Sequence, residues 1–240
     1  MTVTPSQNPP EHKKQQVEEM FDHIAPNYDF LNHFLSMGVD RLWRRKAVNI
    51  VRKYGPLQIL DVATGTGDFA IETAKAIPGE IVGLDLSEQM LRVGEGKIRR
   101  LRLDHQVRLQ KGDSEEMPFP DNSFDALTVA FGVRNFENLE KGLQESHRVL
   151  RPGGVAVILE FSKPRRFPFK QLYRFYFFRI LPFIGGLVSK NSRAYTYLPE
   201  SVMAFPDGQD FLALLAQAGF SRLRQRRLTM GIATIYEAVK

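Results

Sequence analysis

One stretch narrows the choice of fold more than any other: Ile59-Leu60-Asp61-Val62-Ala63-Thr64-Gly65-Thr66-Gly67-Asp68. The largely apolar run Leu57–Val62 reads as a strand buried in a parallel sheet. It ends beside an acidic residue and passes at once into a loop with two glycines. Beyond the loop, Phe69, Ala70, Ala74 and Ile77 mark one face of a helix. Glycine at 65 and 67 lets the backbone turn tightly and lets a ligand approach without meeting a Cβ. The helix that follows turns its free N–H groups toward that ligand.

The loop alone leaves the ligand open. Gly65-x-Gly67-x-x-Ala70 also fits the dinucleotide fingerprint, and a plain tight turn fits as well. Asp61, four residues before Gly65, favours an amino-acid ammonium and would repel a pyrophosphate. S-adenosylmethionine is therefore the expected cofactor, ahead of a nicotinamide or flavin.

Downstream, strand and helix patterns alternate, which calls for a parallel sheet. The second strand, about Glu80–Leu84, ends at Asp85, 18 residues past Gly67, where a carboxylate can accept both hydroxyls of a ribose or cap the next helix beside Ser87. The third, about Val107–Gln110, ends at Lys111-Gly112-Asp113-Ser114. Asp113 is placed to accept from an adenine amino group and the Ser114 N–H to donate to a ring nitrogen; an exposed turn is the plain alternative. A fourth strand, Ala126–Ala130, runs into Phe131-Gly132-Val133-Arg134-Asn135. Ligands of open α/β sheets sit at the carboxyl ends of the strands, so Arg134 and Asn135 face substrate, unless Arg134 merely pairs with a surface carboxylate. A helix, about Leu139–Arg148, and a turn at Leu150-Arg151-Pro152-Gly153-Gly154 precede a fifth strand, Val155–Phe161. The chain closes as helix Gln209–Phe220 and strands Ser221–Leu228 and Ile232–Val239, an antiparallel hairpin.

Upstream of the sheet, residues 1–12 read as disordered. Val17, Met20, Phe21 and Ile24 recur on one helical face until Ala25-Pro26-Asn27 breaks it. Tyr28 to Trp43 mixes aromatic and polar side chains densely, as a core-forming helix pair or as a flap over the site. Between strand five and the last helix lies an insertion. There Phe169, Leu172, Tyr173, Tyr176, Phe177, Ile180 and Leu181 recur at helical spacing with Lys170, Arg174 and Arg179 between them, up to Pro182 and Gly185-Gly186. That pattern suits a membrane interface or a groove for an apolar chain, and equally a helix packed on the core or on a second subunit.

The 240 residues suit one domain: a helical flap over 13–54, a cofactor-binding core over 55–162, the insertion over 163–205, and a closing helix and hairpin over 206–240. With no cysteine, disulfides and thiol catalysis are excluded, and five scattered histidines give no metal-ligand spacing, so no metal is expected. No signal peptide or run of ~18 apolar residues is evident, so the expected place is the cytoplasm, at most touching a membrane. The net charge of +6 suits an anionic surface. Arg222, Arg224 and Arg226 alternate with Leu223 and Gln225 as on a half-solvated strand, and no RNA-binding motif appears, so no nucleic acid is expected. A homodimer is allowed.

Taken together, these pieces resemble a class I S-adenosylmethionine-dependent methyltransferase, a Rossmann-like α/β fold with a seven-stranded, mostly parallel sheet, a C-terminal antiparallel hairpin and helices on both faces. Tyr28 to Trp43 resembles the first signature of the menaquinone/ubiquinone C-methyltransferase family, Y-D-x-M-N followed by Ser, His and Trp at fixed spacing. Arg148 to Ser162 resembles its second, R-V-[aliphatic]-K-P-G-G through E-x-S, and Phe131–Asn135 its F-G-[aliphatic]-R-N segment. The likeness runs from about Lys14 to the C-terminus. Leu31, Asp40 and Arg151 depart from the family's Met, His and Lys. The resemblance implies C-methylation of a polyprenylated demethylnaphthoquinol. It puts Gly65, Thr66, Asp85, Asp113, Ser114 and Ala130 on cofactor-contacting positions and Tyr28 in the closing segment. Arg134 is then expected to steady a quinolate oxygen, Asn135 and Tyr28 to orient the ring, and Asp29, Asp40 or His33 to relay a proton. His147 is expected to be structural.

Overall fold

In the computed structural model, which describes residues 3–5, 13–29, 33, 36, 38–180 and 193–240, one seven-stranded sheet carries the chain. The expectations resting on Leu31, Leu181, Pro182, Gly185 and Gly186, and on residues 1–12 apart from 3–5, fall outside the described residues. Val3 itself packs against Val17, Met20 and Tyr197.

The strands are β1 Gln58–Val62, β2 Glu80–Asp85, β3 Val107–Lys111, β4 Phe124–Ala130, β5 Leu150–Phe161, β6 Ser221–Leu228 and β7 Ala233–Val239. Their spatial order is β3-β2-β1-β4-β5-β7-β6. β1 to β5 run parallel, while β7 lies antiparallel to β5 and β6 antiparallel to β7. The order reverses between β1 and β4, and there the loops after the two strands diverge and open a crevice.

Among the described residues eight α-helices surround the sheet: α1 Lys13–Ile24, α2 Val39–Val51, α3 Asp68–Ala74, α4 Glu88–Leu101, α5 Leu139–Val149, α6 Phe169–Phe175, α7 Arg193–Ala204 and α8 Gln209–Gln217. Strand periodicity sorts the core into two layers. Ile59 on β1 and Val155, Val157 and Leu159 on β5 pack with Trp43 and Ala47 of α2, Phe69 of α3 and Ile98 of α4. Leu60, Val62, Ala156 and Ile158 face the other way, against Leu143 of α5 and Phe211 and Leu215 of α8.

Besides shifts of one to three residues at other element ends, three differences from the sequence reading matter. Leu57 precedes β1 and stays exposed, its N–H donating to Asp125 Oδ2 at 3.0 Å. β5 begins at Leu150: the Arg151–Gly154 turn becomes an irregular start to the strand, with Gly153 at φ +82° and a register shift between Phe124 and Ala126. The insertion stripe is split. Tyr173 and Phe177 are buried against Phe161 and Val202, whereas Phe169, Leu172 and Phe175 face outward. The α-helix ends at Phe175 and a π-helical turn covers Tyr176–Ile180, within which Phe177 stays on the buried side and stacks on Tyr173.

Candidate active site

The crevice between β1 and β4 opens into a cleft of about 710 Å³, lined by Val17, Phe21, Tyr28, Gly65, Asp85, Ser87, Met90, Ser114, Ala130, Phe131, Asn135 and neighbours. A smaller chamber of about 360 Å³ continues it and shares Tyr28, Ala63, Gly65, Ala130 and Phe131 as walls. Arg44, Asp61, Thr66 and Asp68 line that inner chamber. The floor is the turn after β1, where Ala63, Gly65 and Gly67 all take positive φ.

Each strand-end carboxylate is held differently. Asp61 is almost wholly buried and accepts from the Thr64 and Thr128 hydroxyls, both at 2.6 Å. Thr128 lies beside it on β4, in register. Burial pushes the Asp61 carboxyl up to about 6, against the pull of those hydroxyls and of Arg44. Asp85 accepts from Gly65 N–H at 2.7 Å and Ser87 N–H at 2.9 Å, and burial pushes it likewise to about 6. The helix cap is Ser87, whose hydroxyl accepts from Met90 N–H, so Asp85 keeps its place in the cleft wall. Asp113 sits less centrally. Its carboxylate accepts from Lys14 Nζ at 2.5 Å and Glu115 N–H at 2.9 Å, while Gly112, Ser114 and Glu115 form the wall itself.

The flap closes over the loop through charge. Asp29 accepts from Thr66 Oγ1 at 2.5 Å and Lys97 Nζ at 2.6 Å, and Lys97 also bonds Asp68. Arg44 reaches Asp40 at 2.5 Å and Asp68 at 3.5 Å, and His33 joins Asp40 at 2.8 Å. Burial would raise Asp40, but the Ser36 hydroxyl, Arg44 and His33 outweigh it and hold the carboxyl low. Asp29, Asp40 and His33 thus meet in one network that ties the flap to the G-x-G loop. Tyr28 lines both parts of the cleft, its ring edge-on to Phe21 at 5.9 Å. His147 packs edge-on against Phe220 at 5.1 Å, on the α5 side of the sheet.

Arg134 and Asn135 sit in a short helical turn after β4. Arg134 is paired, but with a buried carboxylate and not a surface one: its Nη1 meets Glu160 Oε1 at 2.9 Å and donates to Phe131 O. Glu160 is wholly buried, and burial raises its carboxyl although Arg134 opposes the rise. Asn135 lines the cleft and accepts from Tyr197 Oη at 3.2 Å. Glu160 was given no role by sequence reasoning. Its signal was there: a lone carboxylate ending an otherwise apolar strand, as Asp85 does. Lys14, Arg44 and Lys97 gave no such signal among many exposed basic residues. Among the described residues no group of three or more His, Asp or Glu is set to hold a metal.

Residues 10–240 match the ubiE/COQ5 methyltransferase family. A demethylmenaquinone methyltransferase of Bacteroides fragilis is 50% identical over 229 residues, covering 95% of this chain and 94% of the relative. The ubiquinone/menaquinone biosynthesis C-methyltransferase UbiE of Geotalea daltonii is 50% identical over 231 residues, covering 95% and 97%. Among solved structures, a SAM dependent methyltransferase from Aquifex aeolicus superposes with a TM-score of 0.59 at 22% identity, covering 83% of this chain and 92% of its own. The [4+2]-cyclase SpnF gives 0.62 at 18% identity, covering 98% and 99%. At such identities these two speak for the fold alone, and the cyclase shows how far chemistry varies on it.

Proposed function

The chain belongs to the ubiE/COQ5 methyltransferase family, and from that premise we propose that it transfers the methyl group of S-adenosylmethionine to a ring carbon of a polyprenylated demethylnaphthoquinol. The observation that carries this reading is the extent of the family match, which takes in both the carboxylate-lined cleft and the turn after β4 that carries Arg134 and sets Asn135 in the cleft wall. The residues present suit the cofactor. Asp61 offers an anion to an ammonium, Asp85 two acceptor oxygens to a ribose, and the Ser114 and Gly112 backbone a wall to a flat base. Ala130 and Thr66 complete the floor.

When bound, the cofactor supplies an electrophilic methyl on a sulfonium. The chain's part is to position the ring behind that methyl, exclude water and steady the charge that makes a ring carbon nucleophilic. A quinol gains that charge when a ring hydroxyl loses its proton, so the reduced ring is the substrate. Arg134 stabilises the resulting oxyanion, while Asn135 and Tyr28 orient the ring. Asp29, Asp40 and His33 act in this reading as the tether of the flap, because each is engaged by Lys97, Arg44, Thr66 or Asp68.

The prenylated tail calls for access to a bilayer. Phe167, Phe169, Leu172 and Phe175 are exposed in or beside α6 with Lys170 and Arg174 among them, which supports a peripheral contact with an anionic membrane face. Among the described residues no helix is long and apolar enough to cross a membrane.

Incubation with methyl-labelled S-adenosylmethionine and a short-tailed demethylnaphthoquinol tests the reaction. Label should enter the ring only when a reductant keeps the quinol reduced. A methoxy-benzoquinol arm separates the two ring classes named among the relatives. No transfer to either ring under reducing conditions overturns the proposal.

A further inference from the structure

We propose that Tyr173, on the insertion helix α6, is a catalytic residue: its hydroxyl and the Nε–H of Arg134 together receive the ring oxygen of the aromatic substrate. The inference rests on the quinol reading above and adds a donor to it. Among the described residues, four buried side-chain polar atoms have no hydrogen-bond partner: Thr73 Oγ1, Gln225 Oε1, Arg134 Nε and Tyr173 Oη. The first lies within α3 and the second on the edge strand β6. The last two share one neighbourhood, since Arg134 lies over the Phe161 ring, Phe161 meets Phe177, and Phe177 stacks on Tyr173. Tyr173 is 6% exposed and the Arg134 side chain 8%, so water does not readily take the missing place.

A buried donor left unpaired loses its hydration with nothing to replace it. Two in one place point to a partner supplied from outside. Both groups are donors there: a guanidinium Nε–H can only donate, and a phenol beside a cation is best used by donating. They therefore suit an acceptor oxygen, and an oxyanion best of all. The guanidinium is held for that task, because its Nη1 is committed to Glu160 and Phe131 O.

Aromatic rings link the pair to the cleft. Phe131, which lines both parts of the cleft, lies 4.4 Å from Phe161. The Arg134 guanidinium sits 5.5 Å above the Phe161 ring. Phe161 meets Phe177 edge-on at 6.2 Å, and Phe177 stacks on Tyr173 at 4.1 Å. A flat ring lying along this wall would present its oxygen to both donors and its face toward the cleft. In the reaction the ring hydroxyl first gives up its proton to solvent. The ring carbon's electron pair then forms the new carbon–carbon bond as the methyl–sulfur bond breaks onto sulfur, and the ring C–H proton leaves to restore aromaticity. Arg134 and Tyr173 stabilise the oxyanion formed in the first step.

Tyr173→Phe tests this in the full chain. The hydroxyl has no partner in the unliganded protein, so the variant should melt at or above the parent temperature. Its kcat should fall at least about tenfold, with the affinity for S-adenosylhomocysteine unchanged. The acidic limb of its pH–rate profile should move up by about one unit, because the quinolate is less stabilised. Arg134→Lys, which keeps a cation near Glu160 and removes Nε–H, should show the same shift, and the double variant should lose less than the sum of the two. A Tyr173→Phe protein with the parent's kcat and pH limb overturns the assignment, as does one that melts well below the parent. A parent that methylates no quinol sinks the substrate reading itself, whereas an active parent matched by its Phe variant sinks only the role of Tyr173.

Discussion

Two carboxylates decide how this cleft responds to pH. Asp61 and Asp85 are both pushed up to about 6 by burial, well above the ~3.9 of a free aspartate. Between those values the folded chain holds protons that the unfolded chain has released. The two groups thus add stability to the unliganded protein as pH falls through that window and withdraw it as pH rises. Binding works the other way. A ribose diol and an ammonium both need the ionised oxygens, so affinity for S-adenosylhomocysteine should drop below pH 6, by up to about tenfold per pH unit for each carboxylate. Calorimetric titration from pH 5 to 7.5 measures it. Asp85→Asn should weaken binding about 10- to 100-fold at pH 7.5 and remove one decade per unit from the acid slope. A variant with the parent's slope would take Asp85 out of the cofactor contact.

At the level of elements, the pattern legible in the sequence was the one each segment carries alone. The α1 stripe of Val17 and Met20 is buried as its period required. The hairpin formed where two β-rich runs met a short turn, with Thr229, Met230 and Gly231 all at positive φ. The stripe in the insertion left its covering open because period says which residues share a face and not what covers it. Tyr173 and Phe177 turned inward, while the exposed apolar surface fell to Phe167, Phe169, Leu172 and Phe175. Membrane contact is therefore to be tested on the outward set. Phe167→Glu with Phe175→Glu should abolish flotation of the chain with anionic liposomes and leave its melting temperature close to the parent's. Glutamate at Phe177 would instead unfold the local core and inform on nothing else. Flotation unchanged by the double variant would exclude this face, and a dimer lost in the same variant would assign it to a second subunit.

Across the whole molecule, the carboxylates at strand ends were readable because a charge closing an apolar run has few structural uses. The spatial order β3-β2-β1-β4-β5-β7-β6 was not readable from local pattern; it follows from how crossover helices share the two faces. Nor were the ion pairs and the hydrogen bond that fasten the N-terminal helix to the sheet. Lys14 joins Asp113 across 99 residues, Glu18 joins Lys111 and Asp22 joins Ser87, all setting α1 along the carboxyl ends of β2 and β3. Val17 and Phe21 of that helix form one wall of the cleft, and Gly65, Asp85 and Ala130 form the other. A ligand held between two walls stabilises both at once. S-adenosylhomocysteine at about 100 times its dissociation constant should add about 2.7 kcal/mol, which for a domain of this length raises the melting temperature by roughly 5–10 °C. The same ligand should slow proteolysis within residues 13–29, because α1 can leave the sheet only by abandoning its side of the bound molecule. Replacing Val17 and Phe21 together by alanine should weaken binding and shrink the thermal shift at a fixed ligand concentration. A shift that stays full size in that variant would mean that the ligand is held by the sheet-end loops alone and that α1 takes no part in gripping it.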